Sequence, residues 1–182
     1  MQNNNEKLYF YELETTIGNI FIIKSEKGLR SIEIIKENFE ELNKKYQLIE
    51  SKENCQNEIN QILEFFAGIR KEFDLTFDIE GTEFRKKVWM ELLKIPYGEI
   101  RSYSDIAKAV GSEKAVRAIG QANKANPIPI IIPCHRVIGK YQKLLGYAGN
   151  HTDIQEKLIN FEKAIIKNEG MKKWKRLPKQ PH

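Results

Sequence analysis

The stretch Ser102-Tyr103-Ser104-Asp105-Ile106-Ala107-Lys108-Ala109-Val110-Gly111-Ser112 decides how the second half of this chain is read. Ser102 and Asp105 stand three apart, the spacing at which a hydroxyl and an acidic side chain satisfy each other's backbone N–H groups at a helix start. Behind that cap, residues 106–110 read as a short helix, Gly111-Ser112 as a tight turn, and residues 113–124 as a second helix carrying Arg117 and Lys124. Two short helices around a glycine turn, the second one basic, form a candidate helix-turn-helix, which presents its second helix to a nucleic-acid groove.

Reading outward from this pair, Phe84, Val88, Trp89, Leu92 and Leu93 mark an amphipathic helix that starts near Thr82 and is stopped by Pro96 and Gly98. On the other side stands Asn126-Pro127-Ile128-Pro129-Ile130-Ile131-Ile132-Pro133-Cys134-His135-Arg136-Val137-Ile138. Its three prolines exclude a helix and predict a rigid extended segment leading into Cys134. Gly139, Gly146 and Gly149 then bracket a loop, and a last helix is expected over residues 153–166. Toward the front, residues 8–35 alternate apolar and polar positions, punctuated by Gly18-Asn19 and Lys27-Gly28, as in a short antiparallel sheet. Ile59, Ile62, Leu63, Phe65 and Phe66 have helical spacing ahead of Gly68, and residues 73–79 alternate as one more strand. The expected class is α+β. A sheet-and-helix domain covers residues 1–80, a helical domain with the helix-turn-helix covers 81–166, and a basic tail covers 167–182.

Charge divides the chain in the same place. Residues 1–81 carry 10 Lys/Arg against 16 Asp/Glu, a net of −6; residues 82–162 carry 13 against 8, and residues 163–182 carry 7 against 1. Opposite signs on two halves suggest that the later half meets a polyanion, nucleic acid first and an anionic membrane second. No apolar run approaches the ~20 residues of a membrane span, and the Asn-rich start lacks the basic and apolar regions of a secretory signal. A cytoplasmic protein is expected. The two cysteines make no disulfide framework, and with three histidines no metal-ligand spacing occurs.

A cysteine reacts as its thiolate, which is scarce at neutral pH when the thiol pKa is near ~8.5. A histidine can take the proton if a third group orients it. His135 is adjacent to Cys134, an arrangement that favours a bridging water over direct contact, and the last helix offers Glu156 and Glu162 as the orienting carboxylate. Cys55, in the polar stretch Glu53-Asn54-Cys55-Gln56, reads as a small buried hydrophobe.

Ile132-Pro133-Cys134-His135-Arg136-Val137 resembles the active-site signature of the O6-alkylguanine-DNA alkyltransferases. The resemblance continues in Phe65-Phe66-Ala67-Gly68, Gly81-Thr82-Glu83-Phe84, Ile95-Pro96-Tyr97-Gly98-Glu99, Arg117-Ala118-Ile119-Gly120 and Gly146-Tyr147-Ala148-Gly149, covering roughly residues 61–162. It implies a ribonuclease H-like front domain and a stoichiometric, irreversible transfer of an alkyl group from guanine O6 to Cys134. In that scheme His135 deprotonates the thiol through a water, and Glu162 holds the histidine, given one extra residue in the stretch 150–153. Tyr103 protonates the departing guanine, and Asn126 braces the turn before the Pro-Cys segment.

The same resemblance implies that Arg117 fills the gap left by a flipped nucleotide. Tyr103, Ala118, Asn123, Lys124 and Arg136 join it in holding DNA, while Val137, Tyr147 and Ala148 line the guanine pocket. The implied partner is double-stranded DNA bound in the minor groove without sequence preference by a monomer, with no cofactor, no metal and no membrane. The rivals are a non-catalytic lesion-binding relative, a helix-turn-helix regulator and a cysteine hydrolase. Cys134 argues against the first, and nothing resembling an oxyanion hole supports the last.

Overall fold

Three strands, β1 (Tyr9–Thr15), β2 (Gly18–Lys24) and β3 (Leu29–Glu33), pair antiparallel in sequence order as expected, with Ile20 to Ile23 of the central strand buried on both faces. The structure, a computed structural model, describes residues 6–140 and 151–176. A two-residue strand, β4 (Ile49–Glu50), adds in parallel to β1 and completes a sheet of order β3-β2-β1-β4. Between β3 and β4 runs α1 (Lys36–Tyr46), a helix that the apolar pattern does not announce, because only Phe39 of its eleven residues is buried. Phe39 stacks on Phe21 with ring centroids 4.0 Å apart, which is enough to hold an otherwise solvated helix on one face of the sheet.

The other face carries α2 (Gln56–Phe66), whose Ile59, Ile62 and Phe65 enter the main core. Residues 73–79 do not form the strand that their alternation predicts. They run extended and touch the sheet at one parallel bridge, Leu29 to Phe77, with Leu29 N–H donating to Thr76 O and Asp78 N–H to Leu29 O. Gly28 permits that approach, since a Cβ there would lie 2.5 Å from Thr76 O.

The second half packs α3 (Glu83–Leu92) against the helix pair α4 (Tyr103–Ala109) and α5 (Val116–Lys124). The capping box of Ser102 and Asp105 is present in both directions. α5 starts three residues later than its expected start at Glu113, after a turn in which Gly111 takes φ +75°. The buried Trp89 of α3 donates its indole N–H to Ala122 O at 2.8 Å and so pins α5 in place. Val88, Trp89, Ile106, Ile119 and Leu158 share one continuous core with Ile20, Ile22 and Ile62 of the front half. The last helix, α6 (Thr152–Arg176), passes the expected end at Ile166 by ten residues. No helix among the described residues is long and apolar enough to cross a membrane.

The Pro-rich segment departs most from its expected shape. It is a compact turn rather than an extended rod: Ile132 N–H donates to Ile128 O, and Ile130 sits at φ +76°. Proline fixes its own φ but leaves ψ open, so three prolines stiffen a turn as readily as a strand. Left-handed backbone is costly for a β-branched residue, and burial of Ile128, Ile130 and Ile132 at 0% exposure offsets it. A backbone bond from Ile32 N–H to Pro127 O ties this turn to the edge of the front sheet.

Gly28→Ala is expected to lower unfolding stability by about 1–3 kcal/mol, measured by urea denaturation, because the added carbon meets the rigid backbone at Thr76. A loss below a few tenths would show that the 73–79 segment yields freely.

Candidate active site

Cys134 opens a single 3-10 turn, Cys134–Arg136, directly after the proline turn, and is 3% exposed. Asn126 shapes the approach to it. Its Oδ1 accepts from Ile128 N–H at 3.0 Å, while its Nδ2 donates to Ile132 O at 2.9 Å and to Cys134 Sγ at 3.0 Å. One amide therefore closes the turn and touches the sulfur. Burial pushes the Cys134 thiol up to about 12 against the opposing pull of the Asn126 hydrogen bond, so the resting group is the thiol.

The next two residues turn inward to a carboxylate on α6. His135 is fully buried, and its Nε2 lies 2.6 Å from Glu162 Oε1. Arg136 Nε donates to both oxygens of Glu162 at 3.1 and 2.9 Å, Nη2 to Oε1 at 2.8 Å, and Nη1 to Ile95 O at 2.7 Å. Gly98 N–H adds a bond to Oε2 at 3.0 Å. Burial alone would raise the Glu162 carboxyl; His135 and Arg136 outweigh it and bring the carboxyl down to about 2. Burial lowers the imidazole of His135 below its ordinary 6.5 despite the attraction of Glu162. A permanently charged carboxylate thus faces a neutral histidine. Of the two carboxylates that the residues alone left open, Glu162 is the one on His135, and Glu156 is exposed.

Tyr103 reaches the site because β5 (Arg101–Ser102) pairs in parallel with β6 (Val137–Ile138), which sets the first turn of α4 beside the strand that follows Cys134. Its phenol is raised by burial and by the neighbouring Cys134, while a hydrogen bond with Asn123 acts the other way. Asn123 also donates Nδ2 to Cys134 O at 3.4 Å.

Two residues expected at the DNA are buried and bonded within the protein. Arg136 is 6% exposed with its guanidinium committed to Glu162 and Ile95, and Asn123 is 3% exposed between Tyr103 and Cys134. Polar side chains in these positions serve the site's internal bonding, because a buried polar group without partners is costly. Arg117, Ala118 and Lys124 lie exposed on α5. Val137 is buried beside the thiol's turn, whereas Tyr147 and Ala148 lie outside the described residues.

Gln155 was not anticipated. Buried on α6, it donates Nε2 to Val137 O at 2.9 Å and to His135 O at 3.2 Å. It stands seven residues, two helical turns, before Glu162 and so shares its face, which is the sequence signal that marks it. Cys55 is the buried hydrophobe expected, its thiol pushed up to about 11 by burial and by Glu58. Among the described residues no group of three or more His, Cys, Asp or Glu is placed to hold a metal ion.

Comparison with known proteins agrees over nearly the whole chain. Residues 8–79 match the family model of the 6-O-methylguanine DNA methyltransferase ribonuclease-like domain, and residues 83–164 match its DNA binding domain. The constitutive methylated-DNA–protein-cysteine methyltransferase of Bacillus subtilis is 47% identical over 161 residues, covering 87% of this chain and 98% of its own length. The enzyme of the same name from Methanosarcina acetivorans is 44% identical, covering 85% of this chain and 98% of its own. Among solved structures, Mycobacterium tuberculosis OGT in complex with DNA superposes with a TM-score of 0.77 at 35% identity, over 86% of this chain and 94% of that one. The two matched domains, the full-length relatives and the Cys134 site together place this chain in the 6-O-methylguanine DNA methyltransferase family.

Proposed function

We propose that this protein repairs DNA by moving the methyl group of O6-methylguanine onto Cys134 Sγ in a single turnover. The observation that carries the reading is the buried sulfur held by Asn126, next to a neutral His135 that is backed by a fully ionised Glu162. In the reaction the S–H bond and the methyl C–O6 bond break, and an S–C bond forms. The thiol proton passes through a water to His135, at Nδ1 because Nε2 faces Glu162. Glu162 stabilises the imidazolium as it forms. Tyr103 supplies a proton to guanine N3, so the leaving base departs neutral. The thioether cannot be hydrolysed by anything in the site, which makes the transfer irreversible.

O6 of a stacked guanine is out of reach of a thiol with 3% exposure, so the nucleotide must leave the duplex. α5 lies next to α4 and presents Arg117, Ala118 and Lys124 to solvent, the arrangement that a helix inserted in the minor groove requires. In this scheme Arg117 occupies the vacated position in the stack, while Val137, Tyr147 and Ala148 enclose the base. The protein acts as a monomer on duplex DNA without sequence preference, driven by phosphate contacts.

Incubation with an oligonucleotide bearing O6-methylguanine, followed by intact and peptide mass spectrometry, is expected to find one methyl per chain, on Cys134, with Cys55 unmodified. A chain that binds the lesion and stays unmodified would sink the reading. Arg117→Ala should slow transfer from duplex by about tenfold or more, since unstacking costs a few kcal/mol, while transfer from single strands changes little; equal loss on both counts against a role in flipping. The transfer rate should be flat at neutral pH and decline only at a pH below the ordinary imidazole range, because burial lowers the His135 pKa and the ring must be neutral to accept the proton. Glu162→Gln should slow transfer by about a hundredfold and Glu156→Gln should not, compared by stopped reaction at a temperature where circular dichroism shows each variant folded.

A further inference from the structure

The last ten residues of α6 go beyond what the core can use. Two close approaches mark where the core ends: a Cβ on Gly68 would lie 2.5 Å from Ile165 Cδ1, and one on Gly98 would lie 2.9 Å from Ile166 Cγ1. One turn further, Lys71 and Glu169 form an ion pair. Every residue from 166 to 173 is exposed. Residues 167–176 carry Lys167, Lys172, Lys173, Lys175 and Arg176 against Glu169 alone. At 3.6 residues per turn Lys167, Lys172 and Lys173 fall on three separate sides of the helix, so no side is reserved for packing. The pairs 172/175, 172/176 and 173/176 set like charges at helical neighbour spacing, which weakens the helix, and Glu169 is the one carboxylate in the segment to offset them.

The match to the family's DNA binding domain ends at residue 164, before this extension begins. An interfacial membrane helix needs a continuous apolar face, and residues 167–176 offer only Met171 and Trp174 as large apolar side chains. A dense cationic helix without an apolar face fits a polyanion in water.

We propose that residues 167–176 form a phosphate-binding arm that grips duplex DNA flanking the segment held by α4 and α5. The proposal rests on the repair reading above and deepens it. Gln155 is tied to Val137 beside the reacting cysteine, and Arg176 stands 21 residues further along the same helix. At ~1.5 Å per residue that is a span of about 31 Å, or roughly nine base pairs at ~3.4 Å each. A helix of that span laid along the duplex would meet phosphates that a short duplex does not possess. It strengthens search and residence on long DNA and leaves the chemistry at Cys134 untouched.

The test compares the full chain with one carrying Lys172→Gln, Lys173→Gln, Lys175→Gln and Arg176→Gln, changes that keep helix propensity. Fluorescence anisotropy would follow binding to lesion-bearing duplexes of about 30 and about 10 base pairs between about 50 and 200 mM salt. On the long duplex the variant should bind about tenfold more weakly at low salt, with a log Kd against log salt slope shallower by about two to four units. On the short duplex the two proteins should bind alike and take up equal methyl. An unchanged slope on long DNA, an equal loss on both lengths, or a loss seen only on vesicles containing anionic lipid would each overturn the arm. Methyl uptake by the unaltered chain is read in the same samples. If the arm behaves as expected and Cys134 stays unmethylated, the arm stands and the repair reading fails.

Discussion

The carboxylate of Glu162 is buried at 1% exposure, and the neighbourhood of the reactive cysteine is arranged to keep it charged. Removing a carboxylate from water costs several kcal/mol unless charge and hydrogen bonds replace the lost hydration. Here the replacement comes from three places in the chain: the guanidinium of Arg136, the imidazole of His135 and the backbone of Gly98. Those bonds fix the distance between α6 and the turn after α3, and they hold the 3-10 turn that begins at Cys134. The site's electrostatics and its architecture are the same set of bonds. The carboxylate bonded to His135 also anchors the last helix to the core.

Among the described residues the front half places no side chain beside Cys134, His135 or Glu162, yet it braces the turn that leads to the thiol. Its edge strand bonds to Pro127, and its core is continuous with that of the helical half. Asn126, one residue earlier, converts this support into position by holding both the turn and the sulfur. The charge division follows from this arrangement. The bracing half carries the net negative charge, while residues 82–162 carry 13 Lys/Arg against 8 Asp/Glu and the end of α6 adds a further cationic run.

Where the deciding chemistry is local, the sequence showed it. The capping box of Ser102 and Asp105, the alternation of β1 to β3 and the helical spacing of Ile59, Ile62 and Phe65 are each readable within a dozen residues. α1 was not readable, since a helix with one buried residue has no apolar period. The proline segment misled because ψ is set by what the turn bonds to, and those bonds come from Asn126 and the packing of three isoleucines. Arg136 and Asn123 show the limit at the site itself. Residue type says that a side chain must bond to something polar, and only the fold says whether that is a phosphate or a neighbour. Glu162 was reached through resemblance, since spacing alone left Glu156 equally available.

A protein that spends itself on one lesion has a finite stock, and every thiol lost to another electrophile is a repair forgone. The burial of Cys134 bears directly on that loss. With its pKa pushed up to about 12 and its sulfur covered, the thiol offers almost no thiolate to peroxides, disulfides or free alkylating agents. Reactivity arises only when a substrate brings its electrophilic carbon to the sulfur and a base stands ready. The same desolvation that looks like a handicap for a nucleophile sets the shelf life of the unused molecule.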